Sequence, residues 1–305
     1  MVPVCLWLVG CATPQYTIRP TPVPDESPAA HAIERQISQI QGQAFDRQGA
    51  RPLGWHERLY GFDVQALVDR LSRVTERSSL QYRAYLYEDR DPNAAALADG
   101  RVYLSTGILQ YLSQRGAHPA ELAFVVGHEL AHTVAQHLVK RYRVIQQQQL
   151  LMALVAAGTS AVTRDASGGV QQAGRLALDA ASLLRNVANS GYSQEQELEA
   201  DQLGIRYVMR AGFNPKAALD LLQDFSRFEN PWPFLRTHPY IVQRRADLQR
   251  YLEEAGNLPQ GSMSPSASDG VSVRVRQLRA AQHLYPAGSV SWQNLQRQID
   301  ALEKR

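Results

Sequence analysis

Hydrophobic positions recur at helical spacing in two early segments, Ile33, Ile37, Ile40 and Phe45, then Val64, Leu67, Val68, Leu71 and Val74. The period then shortens. Tyr82 to Tyr87 (YRAYLY) is aromatic and strand-like, and Arg101 to Leu104 (RVYL) reads as a second short strand. Between them, Asn93 to Gly100 (NAAALADG) reads as an edge strand followed by a turn. Beyond Thr106 nearly everything reads as helix, with Pro119, Pro215 and Pro239 placed at helix starts. The run PAELAFVVGHELAHTVAQHLVKRY has no breaker after Pro119 except Gly127. Residues 143–192 are rich in Gln and Ala and carry glycines at 158, 168, 169 and 174, which predicts a helical hairpin with a mobile tip. The pattern predicts an α+β fold, mostly helical, with a small edge-exposed sheet.

Composition narrows the class. The 305 residues are 44% hydrophobic and 20% charged, which excludes wholesale disorder and a polytopic membrane protein. The longest apolar run, Leu150 to Val162, is 13 residues and is interrupted by Gly158, Thr159 and Ser160, too short to span a bilayer. Arg outnumbers Lys 29 to 3, but the arginines are spread throughout rather than clustered in a stripe, so no nucleic-acid partner is expected. Both cysteines, Cys5 and Cys11, lie in the first eleven residues, so the body holds neither a disulfide nor a Cys-ligated metal.

The chain divides by composition. Residues 1–11 (MVPVCLWLVGC) are short and apolar, with no Lys or Arg before Arg19. Their Leu8-Val9-Gly10-Cys11 ending resembles the lipobox of bacterial lipoproteins, which implies lipidation at Cys11, and Ala12 beside it implies the outer membrane rather than the inner. Residues 12–31 read as a tether, because Pro14, Pro20, Pro22, Pro24 and Pro28 make an extended stretch that builds no core. Residues 32–258 carry the chemistry, 259–270 (PQGSMSPSASDG) read as a linker, and 271–305 as a helical tail.

His128-Glu129-Leu130-Ala131-His132 is the densest chemistry in the chain. Two His four apart share one helix face, so both imidazoles reach one zinc ion, while Glu129, roughly 100° around, reaches a water without ligating the metal. Such a Glu takes the proton of a water whose pKa zinc has lowered. A chance match in this composition is expected roughly 0.01 times. The apolar Leu122–Val126 (LAFVV) places the helix in the core, where titratable groups need partners. A metzincin-type third ligand is excluded, since Ala135 and Leu138 stand where Gly and His would be required. His137, five after His132, reads as structural. The better third ligand lies about 65 residues downstream in SQEQELEAD, where Glu197 and Asp201 share a face and Glu195 and Glu199 point about 200° away. A Glu ligand with an Asp to hold a zinc-bound His is a gluzincin requirement.

HELAH, then SQEQELEAD, then Thr237-His238-Pro239 with Arg244 six after His238, together resemble family forty-eight of the zinc metallopeptidases, the group of HtpX, the CAAX prenyl protease, the OMA protease and BepA. The likeness extends over roughly 60–250 and is closest to the periplasmic lipoprotein branch related to LoiP. It implies a gluzincin-type domain with one Zn2+ per chain held by His128, His132 and Glu197, with Glu129 as general base and Asp201 behind the ligands. It implies that Ala94, Ala95, Ala96, Leu97 and Ala98 pair with an extended substrate. For His238 three roles stay open: oxyanion stabilisation, a swing onto the zinc that blocks the water position, or a buried structural His. Arg244 is expected to orient its neighbours.

These readings predict a zinc endopeptidase anchored through Cys11 to the periplasmic face of the outer membrane of a Gram-negative bacterium. Its partners would be unfolded or misassembled envelope proteins and the outer-membrane assembly machinery. The rival expectation is a non-proteolytic assembly factor that uses the same strand-binding edge above a closed zinc site. Serine and cysteine hydrolase chemistry has no support, because G-x-S-x-G is absent and neither Cys lies near a His in the sequence.

Overall fold

The structure, a computed structural model, describes residues 17–162, 187, 191–227, 233–257 and five positions between 293 and 300, with only the backbone course for 152–162 and 256–257. The lipobox, the linker and residues 163–186 of the hairpin expected over 143–192 lie outside the described residues.

Helix α1 (Pro28–Asp46) is capped by Ser27, whose hydroxyl accepts from the Ala30 N–H, and Pro28 stands at its start. It therefore begins four residues before the boundary expected at 32. Residues 17–27 carry neither helix nor strand, and they lie on the body. Arg19 is buried, its N–H donating to Gln202 Oε1 and its guanidinium reaching Asp247 and Glu195.

A four-stranded sheet follows in the order β1-β4-β6-β5, where β1 is Arg51–Pro52, β4 Arg83–Tyr87, β5 Ala94–Ala96 and β6 Arg101–Ser105. β4 and β6 run parallel, and β5 lies antiparallel to β6 at the edge. A small hairpin pairs β2 (Arg58–Leu59) with β3 (Phe62–Asp63). Side chains alternate across the main sheet. Ala84, Leu86, Val102 and Leu104 enter the core, whereas Tyr85, Tyr87 and Tyr103 face α1, where Phe45 stacks on Tyr103 at 4.1 Å between ring centroids.

The core side is filled by α2 (Val64–Ser72), α3 (Thr106–Gln114) and α4 (Pro119–Val134). α4 is buried from Glu121 to Val134, so its polar residues must find partners inside. It does not run on to Tyr142, as the uninterrupted pattern predicts. Gln136 adopts φ +53°, and a new helix, α5 (His137–Val162), starts after it. No glycine marks that break; the Gln136 side chain is held by the Asp25 backbone and by Glu34.

Across α4 lies α6 (Gln194–Arg210), opened by a capping box between Ser193 and Gln196. The two helices cross at Gly127 and Gly204. A Cβ on Gly204 would stand 2.8 Å from the His128 backbone nitrogen, so the crossing needs glycine there. Gly204→Ala gains up to about 1 kcal/mol in helix propensity but forces two backbones apart at a cost of about 1–3 kcal/mol. We expect net destabilisation in urea unfolding; a more stable variant would show that the helices can part freely. The fold closes with α7 (Lys216–Phe225), α8 (Pro233–Thr237) and α9 (Ile241–Asn257). The helix expected at Pro239 starts at Ile241 instead, because Tyr240 sits at φ +69°.

Candidate metal centre

The Gly127–Gly204 crossing brings the start of α6 against the middle of α4. His128 Nε2 and His132 Nε2 stand 3.1 Å apart, and Glu197 reaches them at 3.5 Å each. His238, carried at the end of α8, completes the group: its Nδ1 is 3.2 Å from His128 Nε2 and 3.1 Å from Glu197 Oε1. One donor atom from each of the four lies within 4.8 Å of the others, and all four residues are buried. Zinc bonds of about 2.0–2.2 Å in a tetrahedron put donors roughly 3.3 Å apart, so spacing and donor chemistry both fit a zinc ion.

The surroundings tune each donor. Burial alone would raise the Glu197 carboxyl, but the charges of His238 and Arg244 outweigh it and hold it well below the usual carboxylate range. Burial, then the neighbouring His128, keep His132 well below its ordinary value, which leaves a neutral imidazole. For His128, burial and Arg244 pull the pKa down, yet Asp201 and Glu197 prevail and push it up to about 9. Its Nδ1 lies 2.8 Å from Asp201 Oδ1, the contact that fixes a ligand's tautomer and makes its other nitrogen electron-rich.

Arg244, on α9, is buried beneath this set. Nε and Nη2 each donate to Asp201 at 2.7 Å, Nη1 lies 2.8 Å from Glu197 Oε2, and Nη1 also donates to the His238 carbonyl at 3.0 Å. One guanidinium thus ties three residues of the centre together.

Glu129 stands beside the donors, not among them. Its Oε2 accepts from the Ala96 N–H at 3.0 Å, and its Oε1 lies 3.3 Å from His238 Nε2 with no hydrogen bond among the described residues. Burial raises its carboxyl, against the His238 and His128 charges. An acceptor with raised basicity in this position suits a general base.

A groove of about 310 Å³ opens onto Glu129 and His238. One wall is Ile40, Ala44 and Phe45 of α1, and the other is Asn93 to Ala96. Within β5 the backbone groups alternate. Asn93 and Leu97 bond β6, so Ala94 turns its backbone groups to the groove and Ala96 its carbonyl, the Ala96 N–H being held by Glu129. The edge is shorter than the five residues expected: Leu97 and Ala98 belong to a turn in which the Gly100 N–H donates to the Leu97 carbonyl, and both are buried.

Three residues at the centre escape a motif reading. Tyr192 stacks on His132 with ring centroids 3.7 Å apart. His137, expected on the same helix as His132, starts the next one and turns back beneath it. Gly204 looks ordinary until its packing partner is known. The spacing of His137 from His132 was a visible signal; the other two left none.

A family model described as Peptidase family M48 matches residues 62–252. Among curated proteins, the chain is 30% identical over 190 residues to the beta-barrel assembly-enhancing protease of Yersinia pestis, covering 60% of this chain and 37% of that one. It is 28% identical over 246 residues to the protein of the same name from Escherichia coli K12, covering 78% and 49%. It is 29% identical over 196 residues to the mitochondrial metalloendopeptidase OMA1 of Schizosaccharomyces pombe, covering 63% and 53%. The matched region thus spans about half or less of each relative's length.

Proposed function

Because this chain belongs to peptidase family M48, we propose that it is a zinc-dependent endopeptidase with one zinc ion per chain. The observation that carries this reading is the buried His128, His132 and Glu197 set with Glu129 beside it, opening on a strand edge. When bound, zinc supplies Lewis acidity, polarising a carbonyl and acidifying water. Glu129 takes the proton of the attacking water and gives it to the leaving amine nitrogen, its carboxylate aligned by the Ala96 N–H. Asp201 and Arg244 hold His128 and Glu197 in place.

The substrate is an extended peptide that pairs with the backbone of Ala94 and with the Ala96 carbonyl as an added strand. Such pairing selects unfolded chains, and the relatives' name points to envelope proteins on the way to β-barrels. An outer-membrane location through lipid at Cys11 belongs to the same proposal. No described helix is long and apolar enough to cross a membrane.

Ala94→Pro removes an N–H that serves no bond to β6, so the sheet should persist while the substrate loses one partner. We expect KM to rise about 3- to 10-fold with little change in kcat, measured on an unfolded substrate. An unchanged KM would exclude strand addition at this edge.

His238 within the donor set favours a second reading, a chaperone-like assembly factor whose centre stays closed. A digest of an unfolded β-barrel protein separates the two. The endopeptidase fragments it and Glu129→Gln does not, whereas the chaperone protects it equally well in both forms.

A further inference from the structure

The second histidine of the motif has an anchor of its own. His132 Nδ1 lies 2.7 Å from His137 Nδ1, and His137 Nε2 lies 3.1 Å from Glu199 Oε2. His137 is fully buried. It reaches this place because the left-handed turn at Gln136 ends α4 and folds the next residue back under His132. Glu199 comes from α6 on the side away from Glu197, and its other neighbour is Lys140 at 3.8 Å.

Chemistry sets the direction of every bond in this chain. His132 Nε2 points into the donor set, 3.5 Å from Glu197 Oε1, so a metal there needs its lone pair and its proton must sit on Nδ1. That N–H donates to His137 Nδ1, which must therefore be an acceptor. The proton of His137 then sits on Nε2, and this N–H donates to the Glu199 carboxylate. A neutral imidazole has one donor and one acceptor, so each assignment forces the next.

We propose that His137 is a positioning residue of the metal centre, fixing the tautomer and ring orientation of His132 and relaying to it the carboxylate of Glu199. The proposal rests on the reading of His128, His132 and Glu197 as zinc ligands. It gives each ligand His its own carboxylate, direct from Asp201 for His128 and through a second imidazole for His132. It also accounts for Glu199, which faces away from the centre and yet serves it.

Zinc affinity, read by competition with a chromogenic chelator, tests this apart from activity. His137→Phe keeps a ring but offers no acceptor, and should weaken zinc binding about 10- to 100-fold, the usual effect of losing such a partner. Glu199→Leu should weaken it in the same direction. His137→Asn, whose amide oxygen can stand near the place of Nδ1, should retain most of the affinity. Circular dichroism and gel filtration establish that each variant is folded. Should His137→Phe not fold, Glu199→Leu and the wild-type tautomer carry the test. Long-range proton–nitrogen spectra of the zinc-loaded wild type should show the His137 proton on Nε2. A His137 proton on Nδ1, or a folded His137→Phe with wild-type affinity, overturns the proposal and leaves the metal centre standing. A wild-type chain that takes up no zinc overturns the metal centre itself.

Discussion

Glu129→Gln is expected to lower kcat/KM for peptide cleavage by about 10²–10⁴-fold while zinc content stays at the wild-type level. The two results belong together. Glu129 stands outside the donor group of His128, His132, Glu197 and His238, so its charge is not needed to hold the metal. An amide of the same size keeps the Ala96 N–H bond to its side-chain oxygen, and the groove keeps its shape. What is lost is the basic oxygen that takes the proton. Retained cleavage in a preparation free of contaminating proteases would exclude Glu129 as the base. Lost zinc would instead place it among the ligands.

Arg244→Met should destabilise the folded chain by about 3–5 kcal/mol, because it leaves buried carboxylates without their counter-charge. The guanidinium is buried, as are Asp201 and Glu197, and it contacts both within 2.8 Å. Methionine fills much of the volume but neutralises nothing. Removing one partner of such a network costs more than its net contribution, since the stranded charge remains in a low-dielectric site. Arg244→Lys restores the charge without the planar fork that spans Asp201, so it should recover only part of the loss. Urea unfolding of the three proteins measures this. A loss below about 1 kcal/mol in Arg244→Met would mean that the carboxylates are neutralised by other means.

Much of the centre was legible because helical periodicity turns sequence spacing into a shared face. His128 and His132 align on α4, and Glu197 and Asp201 align on α6, with no knowledge of how the helices meet. The three longer strands were legible, β4 and β6 from their aromatic and β-branched residues and β5 as the stretch before a turn, whereas β1, β2 and β3, two residues each, are too short to leave a pattern. What stayed hidden depends on contacts between distant parts of the chain. The break after α4 is made by Gln136, a residue with no turn preference, held left-handed by Asp25 and Glu34. The helix crossing needs Gly127 and Gly204 together, and neither is informative alone. The proline-rich segment reads as a tether because composition records its prolines and not the bonds Arg19 makes with the body.

The account turns on whether this donor set runs peptide hydrolysis with zinc. The most direct measurement strips the protein with a chelator and titrates zinc back during digestion of an unfolded substrate. Cleavage should be absent at the start, rise with added zinc and level off at one equivalent per chain. Cleavage by the stripped protein, or none from a folded chain carrying its full zinc, would contradict it.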